Sequence, residues 1–237
     1  TLTTSSAASD VYKRQSFVKI MLDLALNELG EEGVRERLPH LDLPENTQDW
    51  MKILLFCAYQ GTKNSGATTR NAARSVAKAL GCAYAEWEVD NLVEGYESTI
   101  EFVLKRQLSW QTDDIARQNI QARVRAPAIW MMANIRNALL LATSNRSEAA
   151  VGYATMDGDT SGGLSPIAGI DKHYLREWLR FMELTGLPES PSIEALSQIN
   201  VQNPTAELRP KHANQTDEDD LMPCLLYTSP SPRDPIG

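Results

Sequence analysis

Residues 52–89, "KILLFCAYQGTKNSGATTRNAARSVAKALGCAYAEWEV", decide the fold class. The first eight, 52–59, are a short continuous apolar run, the pattern of a strand buried on both faces. A Gly/Ser/Thr loop then gives way to an Ala-rich helix that stops at Gly81, a residue suited to closing a helix. "YAEWEV" (84–89) alternates as a second strand. Strand, helix and strand in that order form a βαβ unit, which implies a parallel sheet.

The alternation continues outward. "SFVKIMLDLALNELG" (16–30) spaces Phe17, Ile20, Met21, Leu24 and Leu29 as a helix would and closes on Gly30. Residues 90–107 read as a helix, and so does a long stretch from about Asp113 to Asn137, bent near Pro127. "ALLLAT" (138–143) reads as a third strand, and 171–186 as a helix stopping at Gly186. The expected fold is therefore α/β, a Rossmann-like parallel sheet flanked by helices. Ligands of such sheets bind beyond the carboxyl ends of the strands. Thr62 to Thr69, Asp90 and Thr143 to Glu148 all follow strand ends, so one edge can gather them.

Composition narrows the function. The chain has 237 residues, is 42% hydrophobic and 23% charged, and carries a net charge of −8. These are soluble-domain values, and the acidic balance argues against broad nucleic-acid binding. No apolar segment approaches the roughly 20 residues of a membrane span. Cys57, Cys82 and Cys224 have no metal-ligand spacing and suggest no disulfide framework. The cytoplasm is the expected compartment.

The two ends read as foreign. Residues 5–15, "SSAASDVYKRQ", and 224–234, "CLLYTSPSPRD", resemble translated sequencing adapters. "DVYKRQ" can be encoded as GATGTGTATAAGAGACAG and "CLLYTS" as TGTCTCTTATACACATCT, which are reverse complements apart from a one-base offset. The expected division is an adapter-derived, disordered tail over 1–15, a natural domain over 16–223 truncated at both ends, and a second disordered tail over 224–237. Without the tails, 20 basic residues face 29 acidic ones, so the remaining chain is acidic as well.

Several short stretches carry chemistry. "TSNRSE" (143–148) offers hydroxyls and exposed backbone N–H groups for phosphate or adenine, and one carboxylate suited to Mg²⁺ shared with phosphates. It also fits a helix start capped by Ser144 or Asn145, with Glu148 in the first turn. "GDTSGGLSP" (158–166) reads as a backbone cradle for phosphate or as a mobile surface loop. "NIQARVR" (119–125) sets Arg123 and Arg125 on different helix faces, one able to reach an anion while the other stays solvated. His40, His173 and His212 lie far apart and near no nucleophile pattern. No Ser/His/Asp set, H-E-x-x-H or C-x-x-C occurs.

In order along the chain, "NIQARVR", "LLLATSNRSEAAVGYATMDGD", "GGLSPIAGIDK", "NPTAELRP" and "QTDEDDLMP" together resemble NAD synthetase, and "NSGATTRNAARSVAKALG" looks like that family's second loop and helix. The resemblance covers nearly all of 16–223. It implies the N-type ATP pyrophosphatase (adenine nucleotide alpha hydrolase-like) fold. It also implies amidation of deamido-NAD (nicotinate adenine dinucleotide) by ATP and ammonia, releasing NAD, AMP and pyrophosphate.

By that resemblance Thr143, Lys172 and Thr205 would contact ATP, and Asn119, Arg123, Glu148 and Asp159 would hold deamido-NAD. Glu148 would also bind Mg²⁺, and no residue is assigned as a catalytic acid or base. Short ammonia-dependent members have Lys and Asp where Met156 and Gly163 stand here. The departures fit the longer glutamine-dependent branch, in which a glutaminase domain feeds ammonia. The family's pyrophosphate loop, S-G-G-x-D-S, should precede the helix near Phe17, where adapter-like sequence stands instead; little or no synthetase activity is expected of the chain as given. The family is usually homo-oligomeric. Two other readings stay open: a GMP-synthetase-like ATP pyrophosphatase, and a non-catalytic nucleotide-binding or dimerisation module.

Overall fold

The computed structural model describes residues 2–5, 10–202 and 207–210, with the backbone alone for 2–5 and 10–14. Its strands are β1 (Leu2–Ser5), β2 (Leu55–Gly61), β3 (Ala83–Glu88) and β4 (Leu139–Leu141). They pair in the order β3-β2-β1-β4, every pair parallel. The helices are α1 (Asp10–Arg37), α2 (Trp50–Leu54), α3 (Ala67–Ala79), α4 (Asp90–Leu104), α5 (Asp114–Arg123), α6 (Arg125–Ile135), α7 (Arg146–Val151), α8 (Lys172–Leu184) and α9 (Ser197–Asn200).

The continuous apolar run predicts burial on both faces, and β2 is buried along its whole length. Cys57 and Tyr59 point into the larger core with Val18 and Ile20 of α1, Val76 of α3, and Leu179 and Met182 of α8. Phe56 and Ala58 point the other way, onto Ile129 and Ala133 of α6. Leu141 and Leu140 of β4 divide in the same manner. This two-residue alternation is the sheet's own period, and it places helices on both faces. Cys57 and Cys82 are buried and form no disulfide. The hydrogen bond with Cys57, together with burial, raises the pKa of the Cys82 thiol and keeps it neutral. Among the described residues no helix is long and apolar enough to cross a membrane.

The structure moves several expected boundaries. Residues 52–54 belong to α2, because Trp50, Met51 and Leu54 bury one helical turn beneath the sheet and Trp50 Nε1 donates to Pro44 O at 2.7 Å. An apolar run alone cannot separate a buried turn from a buried strand. Gly30 does break α1, with φ 67° and ψ 177°, yet the helix resumes to Arg37. Val34 reaches the core there, and the Arg35 guanidinium donates to Leu43 O and Pro44 O. The long helix divides at Val124, between α5 and α6. Pro127 falls in the first turn of α6, where its missing N–H costs no helical bond.

Two elements include described residues of the 1–15 segment. Leu2–Ser5 fills the slot between β2 and β4, and α1 begins at Asp10, so a boundary at 15/16 falls inside a helix. An empty slot would strand the ladder groups of both neighbours. Any extended segment satisfies them through its main chain. Residues 6–9 and 224–237 lie outside the described residues.

Candidate functional site

β4 ends at Leu141, and the polar residues beyond it are wired to two other segments. Thr143 donates twice to Asp159 O, from N at 3.0 Å and from Oγ1 at 2.9 Å. Asn145 caps α7: its side-chain oxygen accepts from Glu148 N at 3.0 Å, while Glu148 Oε2 accepts from Asn145 N at 3.3 Å. The cap anticipated at Ser144 or Asn145 is thus Asn145, and the capping box includes the candidate site residue Glu148. Capping orients Glu148 so that its other oxygen, Oε1, accepts from Lys172 Nζ at 3.3 Å. Ser147 Oγ in turn accepts from Lys172 N at 3.1 Å and fixes the start of α8.

The second half of the site faces the α5 helix. Asp159 Oδ2 accepts from Thr155 N at 3.0 Å, and Thr155 Oγ1 donates to Asn119 Oδ1 at 3.2 Å. Arg123 Nε donates to Met156 O at 3.1 Å. These groups line a cleft of about 650 Å³, whose walls include Asn119, Arg123, Thr155, Met156, Asp159 and Arg209. Thr143, Asp159, Asn119 and Arg123 therefore share one side. Glu148 and Lys172 form the adjoining pair, joined to them through residues 144–147. Thr205 lies outside the described residues.

The "SGG" segment packs along β4 rather than standing as a free surface loop. Gly163 N donates to Leu140 O at 2.9 Å, Ala142 N donates to Leu164 O at 2.8 Å, and Leu141 bridges Leu164 in parallel. A Cβ on Gly162 would stand 2.5 Å from Ala142 N. The glycine thus permits close approach to β4, and the Gly163 amide is already committed.

Other residues of the quoted motifs, not assigned a role individually from sequence, tie these segments together. Gln121 Nε2 donates to Leu208 O at 2.7 Å, and Asn64 Nδ2 donates to Gln121 Oε1 at 2.9 Å. Glu207 Oε1 accepts from Gly66 N at 3.2 Å and from Thr69 Oγ1 at 2.7 Å, tying its segment to the start of α3. Arg209 pairs with Asp114 at 2.8 Å, which holds the Asp114 carboxyl below its usual range. Of the two arginines in "NIQARVR", Arg123 is exposed, but Arg125 is not solvated: it is 6% exposed. His40 and His173 are exposed.

Among the described residues no group of three His, Cys, Asp or Glu residues could hold a metal ion. Glu148 fits only as a single carboxylate sharing Mg²⁺ with ligand phosphates, the arrangement that ion commonly adopts. Positive charge from Lys172 and Arg123, oriented main-chain donors and one carboxylate suit an anionic, phosphate-bearing ligand.

The family model described as NAD synthase matches residues 56–226. A glutamine-dependent NAD(+) synthetase of Aquifex aeolicus is 33% identical over 165 residues, 70% of this chain and 27% of the relative. One from Dictyostelium discoideum is 28% identical over 78% of this chain and 27% of its own length. The crystal structure of a glutamine-dependent NAD(+) synthetase from Cytophaga hutchinsonii superposes with a TM-score of 0.78 at 40% identity, covering 88% of this chain and 36% of that one. The chain thus spans about a third or less of the length of these relatives.

Proposed function

The chain belongs to the NAD synthase family, and from that premise we propose that it is the synthetase part of an enzyme amidating deamido-NAD to NAD at the expense of ATP. The observation that carries the proposal is the convergence at one sheet edge of six residues scattered over 119–172. Thr143, Asp159, Asn119 and Arg123 meet on one side, and Glu148 and Lys172 on the other.

The chemistry asks for electrostatics. The nicotinate carboxylate attacks the α-phosphorus of ATP, expelling pyrophosphate and forming an acyl adenylate. Ammonia then attacks the acyl carbon, AMP leaves, and a proton is lost from nitrogen. The first step joins two anions, so cations and fixed dipoles lower its barrier more than an acid or base would. Lys172 supplies a buried charge for the ATP phosphates, while Thr143 and Thr205 hold the nucleotide. Asn119, Arg123 and Asp159 orient the dinucleotide in the cleft. Glu148 would hold Mg²⁺, which when bound neutralises phosphate charge.

The nitrogen source is glutamine, delivered as ammonia by a glutaminase domain; Met156 and Gly163 and the named relatives support that branch. A homo-oligomer in the cytoplasm completes the reading. The exposed Leu92, Tyr96, Ile100 and Val103 of α4 support the oligomer.

The test supplies ATP, Mg²⁺ and ammonia with either deamido-NAD or xanthosine monophosphate, and follows AMP and pyrophosphate. It compares the chain as given with one carrying an S-G-G-x-D-S loop ahead of Phe17. Turnover of deamido-NAD by the loop-bearing form, and little by the other, is expected. Turnover of xanthosine monophosphate alone would overturn the substrate assignment.

A further inference from the structure

Arg125 opens α6 directly after the break at Val124 and is 6% exposed. Its Nε donates to Gln60 O at 3.0 Å, and Gln60 Nε2 donates back to Arg125 O at 2.9 Å. Trp87 Nε1 donates to Gln60 Oε1 at 3.1 Å, which draws in the end of β3. The guanidinium is thereby clamped where β2 and β3 end, at the edge where ligands of a parallel sheet bind. Its Nη2 is buried with no hydrogen-bond partner. Among the described residues no carboxylate forms an ion pair with it. Asp159, Glu207 and Asp90, from three separate segments, act on it only at longer range, and burial pushes its pKa down.

An arginine cannot escape this position by losing its proton. A buried charge without a contacting partner is unfavourable, and an apolar side chain of similar size usually serves folding as well or better. Perturbed, uncompensated groups of this kind gather where a ligand uses them. We propose that Arg125 is a positioning residue for the phosphate-bearing ligands: a fixed, buried cation at the end of β2 whose charge the protein leaves for ligand anions to neutralise. The proposal rests on the synthetase reading, in which ATP and deamido-NAD each bring a run of phosphates to this edge. Arg125 acts by its field, while the exposed Arg123 meets the cleft directly. The low local dielectric makes such a charge effective without contact.

The experiment compares the full chain with its Arg125→Met and Arg125→Lys variants. Each is titrated calorimetrically with ATP–Mg²⁺ and, separately, with deamido-NAD, and each is melted without ligand. The Met variant is expected to unfold at the same or a higher temperature while losing tenfold or more in affinity for at least one ligand. The Lys variant should retain most of that affinity. Loss toward ATP alone assigns the charge to the triphosphate, and loss toward deamido-NAD alone assigns it to the dinucleotide. A Met variant that binds both ligands like the parent overturns the proposal. So does one that fails to fold or melts several degrees lower, since the charge would then serve the fold. A Lys variant as weak as Met also overturns it. If the parent turns over xanthosine monophosphate and the Met variant still loses ATP, the substrate reading fails while Arg125 keeps its role. A parent that binds neither ligand sinks both.

Discussion

Two buried cations stand at the same edge of the sheet and are treated in opposite ways. Lys172 is 1% exposed, with its ammonium 3.3 Å from Glu148 and its main-chain N–H on Ser147. Arg125, nearly as deep, donates to the neutral Gln60 O, forms no ion pair among the described residues and has a buried Nη2 with no hydrogen-bond partner. The first charge has a partner inside the protein, so its removal harms the fold as well as the proposed ATP contact. The second has no ion-pair partner among the described residues, so on the proposal above its removal weakens a ligand without harming the fold. Burial by itself therefore does not tell whether the fold depends on a charge; the partner does.

The contrast is open to attack, beginning with its strongest arm. Lys172→Met leaves the Glu148 carboxylate without its cation, and loss of one partner of a buried pair costs about 3–5 kcal/mol. Chemical denaturation should show that loss, and adding Glu148→Leu should recover most of it. Failure to recover would mean that Lys172 and Glu148 are not a self-compensating unit. Gly162→Ala is next, at about 1–3 kcal/mol for an overpacked contact, because the new Cβ meets Ala142 N. It loosens the loop that presents Asp159 to Thr143, and amide exchange at Leu164 and Ala142 should rise. No change in exchange would detach Asp159 from the β4 wall.

Smaller effects sharpen the comparison. Asn145→Ala removes one leg of the capping box and should cost about 1 kcal/mol. Lys172 keeps its hold on Glu148 in that variant, so a double-mutant cycle with Lys172→Met measures how far cap and ion pair depend on each other. Arg209→Ala should cost at most about 1 kcal/mol, as for other partly exposed pairs, the two side chains being 32% and 29% exposed. Arg209 depresses the folded pKa of Asp114. That stabilisation is therefore complete above the ordinary carboxylate value of about 3.9 and disappears as pH falls through the lower folded value. Amide exchange at residues 207–209 should rise in that acid window in the parent and show no such step in the variant. A pH-independent parent would mean that the Arg209–Asp114 pair does not hold that segment.

Legibility followed physical range. The parallel sheet was readable because 55–59 is a continuous apolar run followed by a helix and a second strand, and the Cys57/Phe56 division is a local alternation. Thr143 to Glu148 stood out because polar groups seldom cluster at the end of an apolar strand, and a cap at Ser144 or Asn145 was readable from spacing, the structure deciding for Asn145. The α2 turn escaped because Trp50 to Leu54 looks equally apolar in either conformation. "SGG" escaped because its glycine serves contact with β4, a segment about twenty positions away. The strand at Leu2–Ser5 escaped because its place depends on the gap between β2 and β4 rather than on its own residues.

The sequence by itself determined the alternation of strands and helices and the types of group that collect after β4. Its motif order determined the family. Those properties depend on neighbours within a few positions, where propensity, capping and periodicity act. Only the tertiary structure decided which of two arginines in "NIQARVR" is buried, that Gln60 and Trp87 fasten it, and that Lys172 rather than Arg125 has a carboxylate to face. Charge compensation is a matter of distance in space and local dielectric, and neither is set until the chain has folded.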